Sequence, residues 1–169
     1  MVDALPRPEP LPTRPGQESV WDYPRPPRLE AVRAQVEVIF GERTIAITLV
    51  PLRVLETSHP PAWYLPPDGV ITDHLEPSGH SSYCEFKGVA AYFDVVVGRH
   101  RAPDGAWAYR RPSPGYEAMA GYFGFYPSKM EACLVDGDLA MAQPGGFYGG
   151  WVTSDVVGPF KGEPGTEAW

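Results

Sequence analysis

Cysteine is scarce: 169 residues contain two, Cys84 and Cys133, far apart and with no CxxC pair. That excludes a paired-cysteine zinc site. A disulfide demands a specific geometry that sequence cannot supply, and both are read as reduced thiols. Basic residues are also few, 14 Lys and Arg against 21 Asp and Glu, for a net charge of −7. The only tight basic groups, Arg99-His100-Arg101 and Arg110-Arg111, adjoin turn residues and read as solvated loops. Nucleic acid, which needs clustered cations, is not an expected partner. No apolar run approaches the roughly 20 residues that span a bilayer. The first residues lack a basic stretch followed by an apolar run. The expectation is therefore no membrane partner and a cytoplasmic location. There is no G-x-x-x-x-G-K-[ST], no strand followed by G-x-G-x-x-G, and no G-x-S-x-G. Those absences argue against a P-loop, a dinucleotide fold and a hydrolase elbow.

What the chain does have is proline (21), glycine (18) and 21 aromatic rings, in a composition 43% hydrophobic and 21% charged. That is a globular balance, and the length suits a single domain. Eight of the prolines lie in residues 1–27, which rules out regular helix or a central strand there. Residues 1–17 are expected to be flexible. Residues 18–31 carry Trp21 and Tyr23 and are expected to dock. Gln35–Phe40 and Arg43–Leu49 alternate around Gly41-Glu42, a hairpin pattern, and Leu52–Thr57 reads as a third strand. Pro60–Pro67 is an extended, edge-like crossing. Pro67–Leu75 has room for one short helix, and Pro114–Gly121 for a helical turn. Tyr83–Phe86 and Gly88–Gly98 read as strands, with Ala106–Arg110 pairing back across a turn at Pro103–Gly105. Tyr122–Tyr126 is strand-like. Glu131–Val135 and Leu139–Met141 form a hairpin around Asp136-Gly137-Asp138. The Gly- and aromatic-rich residues 143–169 are expected to pack on the domain. Many short strands between turn signals predict a mainly β, compact domain of antiparallel strands with one or two short helices.

Several motifs also resemble a known family. They are Val36-x-Val38, Gly41-x-x-x-Ile45-Ala46, Arg53-Val54-Leu55-Glu56-Thr57, Pro60-Pro61-x-x-Tyr64-x-Pro66 and Cys84-x-x-Lys87-Gly88-x-Ala90-x-Tyr92. With Ala106-Trp107-x-Tyr109 and Gly121-Tyr122-x-x-Phe125-Tyr126 they resemble the DUF427 family over about residues 32–137, placed in a β domain spanning 32–142. The resemblance implies a small β-rich, β-tent-like domain. Its departures are Glu85, where proline commonly follows the cysteine, and Ser82, where threonine is usual. Some β-tent proteins bind zinc through paired cysteines; with no such pairs here, the metal is not carried over. The family also bears a nucleotidyltransferase label.

Four groups carry possible chemistry. Arg53, Glu56, His59 and Tyr64 come together in sequence, although Arg53 and Glu56 have opposite parity on a strand. His59, held before two prolines, is a candidate acid–base group; the alternative is a loop histidine beside a structural ion pair. Alternation sets Cys84 and Phe86 on one face, and Glu85 and Lys87 on the other. Cys84 then reads as a buried structural cysteine. Lys87 is either an anion contact or a solvated strand end. Tyr64, Tyr92, Trp107 and Tyr122 belong to an aromatic set that can be core, pocket or both. Asp136-Gly137-Asp138 is a turn or, less simply, a Mg²⁺-binding pair. His74 and His80 with Asp73 and Glu76 sit in a loop and make no convincing metal site, so no metal or cofactor is expected.

The reading is a small-molecule-binding β domain, with or without catalysis. Candidate catalytic groups are His59 and Lys87, and ligand contacts are expected from Arg53, Glu56, Tyr64, Cys84, Tyr92, Trp107 and Tyr122. The alternatives are a protein-interaction module, with the arm and tail forming a homodimer surface, and a nucleotidyltransferase.

Overall fold

A computed structural model describes residues 3–169; Met1 and Val2, part of the segment expected to be flexible, lie outside the described residues. The strands are β1 (Glu18–Ser19), β2 (Arg28–Ala31), β3 (Val36–Phe40), β4 (Arg43–Thr48), β5 (Leu52–Leu55), β6 (Ala62–Tyr64) and β7 (Leu75–Cys84). They continue with β8 (Gly88–Val97), β9 (His100–Ala108), β10 (Phe123–Phe125), β11 (Ala132–Val135), β12 (Asp138–Leu139), β13 (Met141–Ala142), β14 (Trp151–Val152) and β15 (Val156–Val157). The fold is mainly β, as expected. In place of one or two short helices there are five single 3₁₀ turns of three residues each among the described residues. No helix of the described residues is long and apolar enough to cross a membrane.

Three antiparallel sheets, ordered β12-β11-β3-β4, β10-β9-β8-β7 and β2-β5-β6, make the body. The last two are stitched by reciprocal 2.9 Å hydrogen bonds between Leu65 and Phe123. The β3–β4 and β11–β12 hairpins turn where the sequence places them, at Gly41-Glu42 (φ 59° and 61°) and Asp136-Gly137 (φ 49° and 79°). Left-handed pairs of this kind match the twist of the flanking strands.

The next hairpin does not turn where expected. Val97 pairs with His100, so the β8–β9 turn is Gly98-Arg99, and Pro103–Gly105 lies inside β9. Its turn residues make an irregularity instead. Asp104 takes φ 51°, and its N–H leaves the ladder to donate to Asp94 Oδ1 at 2.9 Å. Proline, which has no N–H, is tolerated at such breaks.

The period of two sorts side chains onto two faces. Trp63, Leu65, Phe93, Val95, Ala106, Ala108 and Phe125 join Val36, Val38 and Cys133 in the main apolar core. Their sequence neighbours Tyr64, Trp107, Tyr109 and Tyr126 face the other way, with Leu52, Val54 and Ala90, in a second buried cluster. The core on one face of the sheets therefore carries no tyrosine, and the cluster on the other is rich in phenol hydroxyls.

A third cluster ties the arm to the tail. Val20, Trp21 and Tyr23 pack on Leu55 and Val156, with Phe160 and Trp169 alongside. Trp21 donates its indole N–H to the Pro159 carbonyl at 2.9 Å and meets Trp169 edge-on. Further out, the backbone N–H groups of Leu5 and Leu11 donate to Gly165 and Gly158. Burial of each such side chain contributes about 1.5–3 kcal/mol, which holds a proline-rich strand that has little ladder of its own.

Candidate functional site

The hydroxyl-rich face is not closed. A cavity of about 320 Å³ opens onto it, floored by Tyr64, Tyr92, Trp107, Tyr109 and Tyr126. Trp107 donates its indole N–H to the Tyr64 oxygen at 3.2 Å. Because an indole can only donate, the Tyr64 oxygen accepts and its own hydrogen is left for another partner. Ser82 Oγ and the Tyr92 hydroxyl share a hydrogen bond at 2.9 Å. Burial first, then neighbouring phenols, raise the Tyr109 and Tyr126 hydroxyls above their ordinary range, so both are neutral donors.

One wall is the turn Glu56–His59, just beyond β5. His59 N–H donates to the Glu56 carbonyl at 3.0 Å, and Ser58 takes φ 74°. Arm and tail pin this turn from both sides. Thr57 N–H donates to Pro24 and its hydroxyl to Tyr23; Ser58 N–H donates to Val20; Lys161 N–H donates to Ser58. The docked arm and tail thus set the position of two side chains that line the cavity.

The opposite wall is the end of β7 and the turn that follows it. Strand alternation stops at Cys84, and residues 85–87 form the turn into β8. Cys84, Glu85, Phe86 and Lys87 all line the cavity as a result. The expected separation of Cys84 from Lys87 onto opposite faces does not hold, because the period of two lasts only as long as the strand. Cys84 is half-buried and faces the cavity; the fully buried thiol is Cys133, whose pKa burial pushes up. Lys87 Nζ lies 5.4 Å from the centre of the Tyr109 ring and makes no hydrogen bond or ion pair among the described residues. Burial pulls its pKa down, but Tyr64, Cys84 and Glu56 outweigh that and the net shift is upward. Lys87 is a charged ammonium on an aromatic face.

The roof is the tail. Gln143, Tyr148, Gly149 and Lys161 close the cavity from above. Gln143 is buried and fully used: its Oε1 accepts from Gly150 N–H at 3.1 Å, and its Nε2 donates to the Lys161 carbonyl at 2.9 Å and to His59 Nδ1 at 3.0 Å. This network assigns the amide, since the flipped form would face its oxygen to the Lys161 carbonyl and its NH₂ to the Gly150 N–H. It also assigns the imidazole: Nδ1 accepts, so Nε2 carries the hydrogen and faces Glu56 Oε2 at 3.5 Å. Burial, with the charges of Lys161, Arg25 and Lys87, pulls His59 down to about 3, which leaves it neutral near pH 7. Glu56 Oε2 is held by Arg25 Nε at 3.2 Å.

Seven of the nine residues singled out in the sequence line this one cavity: Glu56, His59, Tyr64, Cys84, Lys87, Tyr92 and Trp107. Tyr122 packs beside the aromatic cluster without lining the cavity. Arg53 is on the other face of its sheet. Glu30, Arg53 and Trp63 pair across β2, β5 and β6. The guanidinium binds Glu18 at 2.5 Å and Glu30 at 3.1 Å. Its odd position relative to Val54 explains the miss.

A family model described as "Domain of unknown function (DUF427)" matches residues 28–136. The chain belongs to the DUF427 family. No curated protein matches it. In this DUF427 chain the matched segment supplies both walls and the floor. Gln143, Tyr148 and Lys161 lie beyond it and supply the roof. Sequence reasoning missed those three. Their only signal is a Gly-rich stretch that keeps buried-type residues, and nothing local says which surface it covers.

The Asp136-Gly137-Asp138 turn is spent on structure. Asp136 Oδ1 accepts from Gln35 N–H, and Asp138 Oδ2 accepts from Ser154 N–H and Oγ–H. His74 Nδ1 bonds the Val96 carbonyl, and His80 Nδ1 pairs with Asp104. Among the described residues no group of three or more His, Cys, Asp and Glu side chains is arranged to hold a metal ion.

Proposed function

We propose that this chain is a small-molecule-binding domain whose ligand is compact, largely apolar or planar, and carries one anionic group. The observation that supports this is Lys87: a charged, half-buried ammonium without a protein partner among the described residues, set on the Tyr109 ring in an aromatic cavity. Its surroundings keep it charged, and its N–H donors have no acceptor among the described residues, which leaves them for an anionic ligand. Tyr64 has a free hydrogen beside it, and an oxyanion is the group that uses an ammonium and a phenol together. The volume, about 320 Å³, is at the small end of the roughly 300–1,000 Å³ usual for ligand sites. That favours a small carboxylate over a nucleoside triphosphate. The family's nucleotidyltransferase label gains no support from Asp136 and Asp138, each of which holds a neighbouring backbone N–H through one carboxylate oxygen.

The test is a thermal-shift screen against aromatic carboxylates, 2-oxo acids and nucleoside triphosphates, the last with and without Mg²⁺. A ligand at 100 times its Kd adds about 2.7 kcal/mol, a rise of several degrees. A shift from one carboxylate class that disappears in Lys87→Met is the expected outcome. A carboxylate that shifts Lys87→Met as much as the wild type would remove the anion site. A Mg²⁺-dependent nucleotide shift would move the assignment to the transferase.

A further inference from the structure

Resting on that reading, we infer that the cavity is a proton-transfer site for a small enolisable carbonyl compound, with Glu56 as the base and Lys87 as the group that holds the oxyanion. Four observations meet here. Glu56 Oε2 is fixed by Arg25 Nε at 3.2 Å and faced by the His59 Nε2–H at 3.5 Å, while Oε1 has no partner among the described residues. A carboxylate fixed through one oxygen and free at the other is placed to take a proton. The other lining carboxylate, Glu85, is exposed at the rim. The lone pair of His59 is occupied by Gln143, so the imidazole serves as a neutral donor to Glu56 and not as the base. Across the cavity, Lys87 and the free Tyr64 hydrogen form the donor pair that a developing negative oxygen requires.

The step balances within the substrate. The Glu56 carboxylate removes a proton from the carbon beside the carbonyl. The C–H electron pair becomes the enolate double bond, and the carbonyl π pair moves to oxygen, beside Lys87. The Glu56 carboxyl then either trades its proton with solvent and delivers the solvent-derived one to the same carbon, giving exchange, or passes the proton to the far end of a conjugated system, giving isomerisation. No oxidant, reductant or second reactant takes part. Gln143 is a positioning residue: it acts on His59, and through His59 on Glu56.

Phenylpyruvate and acetoacetate are the probes. Each is tested for binding by thermal shift, and in D₂O for loss of the carbon-bound hydrogen signal beside the ketone. The wild-type chain is expected to bind at least one and to accelerate its exchange by about 10²-fold or more over buffer. Glu56→Gln should keep the thermal shift and fall to the buffer rate. Gln143→Leu should lower the exchange rate while ¹⁵N-detected spectra show His59 leaving the single Nε2–H tautomer, a change that loosened packing away from the Gln143–His59 contact and the roof that holds it would not produce. Binding without accelerated exchange, or exchange undiminished in Glu56→Gln, would overturn the inference and leave the anion pocket standing. Binding of neither probe would overturn the pocket reading and this inference together.

Discussion

His59 carries a pH signature of its own. Its folded-state pKa is about 3, against 6.5 for an ordinary histidine. Between those values the unfolded chain binds a proton that the folded chain refuses, so stability falls as pH drops from 6.5 toward 3, by up to about 1.4 kcal/mol per unit. Above pH 6.5 the stabilisation is complete. His80 works in the opposite sense: Asp104 raises its pKa, giving a contribution present below pH 6.5 and lost as pH rises through the folded value. Urea denaturation between pH 5 and 6.5 should show the slope in the wild type, and His59→Gln should flatten it. Ser58, next to it, combines a left-handed φ of 74° with a buried hydroxyl that has no partner among the described residues. Ser58→Gly relieves both and should raise stability by about 1 kcal/mol in urea titration; Ser58→Val should lower it. Neither residue's environment was legible in the sequence. His59 was visible as a restricted histidine before two prolines. Its tautomer depends on Gln143, 84 positions away.

At the scale of elements, strand periodicity was readable and its interruptions were not. Tyr64 and Trp107, as against Trp63 and Ala106, follow from alternation once the strands are placed. The same alternation puts Arg53 and Glu56 on opposite sides, as they are, and only Glu56 reaches the cavity. Arg53→Met should therefore cost about 1–2 kcal/mol through loss of the Glu18 and Glu30 pairs while leaving ligand affinity unchanged, measured by urea titration and thermal shift. Lys87 was misplaced because the turn after Cys84 ends the period. The Pro103–Gly105 turn signal was misplaced because a bulge and a hairpin use the same residues. The roof depends on Gly149, where a Cβ would overlap the Trp107 ring. Gly149→Ala should cost about 1–3 kcal/mol and disturb the His59 tautomer, because the tail must lift from the floor to make room. Urea titration and ¹⁵N spectra of the variant check both.

For the whole molecule, the acidic surplus of −7 contrasts with a cavity that holds Lys87 and Lys161. The mainly β class and the DUF427 family were both legible. Where the two extensions pack was not, because contacts such as Trp21 on Pro159 join residues 138 apart. Removing residues 1–27 would strip Val20, Trp21 and Tyr23 from the third cluster and release the Glu56–His59 turn. The midpoint should fall by roughly 10 °C or more, given about 1.5–3 kcal/mol per buried side chain. Light scattering should show no change in subunit number, since these contacts are made within one chain.

The central claim is that the aromatic cavity binds an anion at Lys87. Its most direct test is an NMR titration of the intact chain with phenylpyruvate, read on backbone and tyrosine ring signals. The account predicts saturable shifts confined to Tyr64, Lys87, Trp107, Tyr109 and the roof at Tyr148–Gly150, all abolished in Lys87→Met. Shifts that map elsewhere on the surface, or that persist unchanged in Lys87→Met, would contradict it.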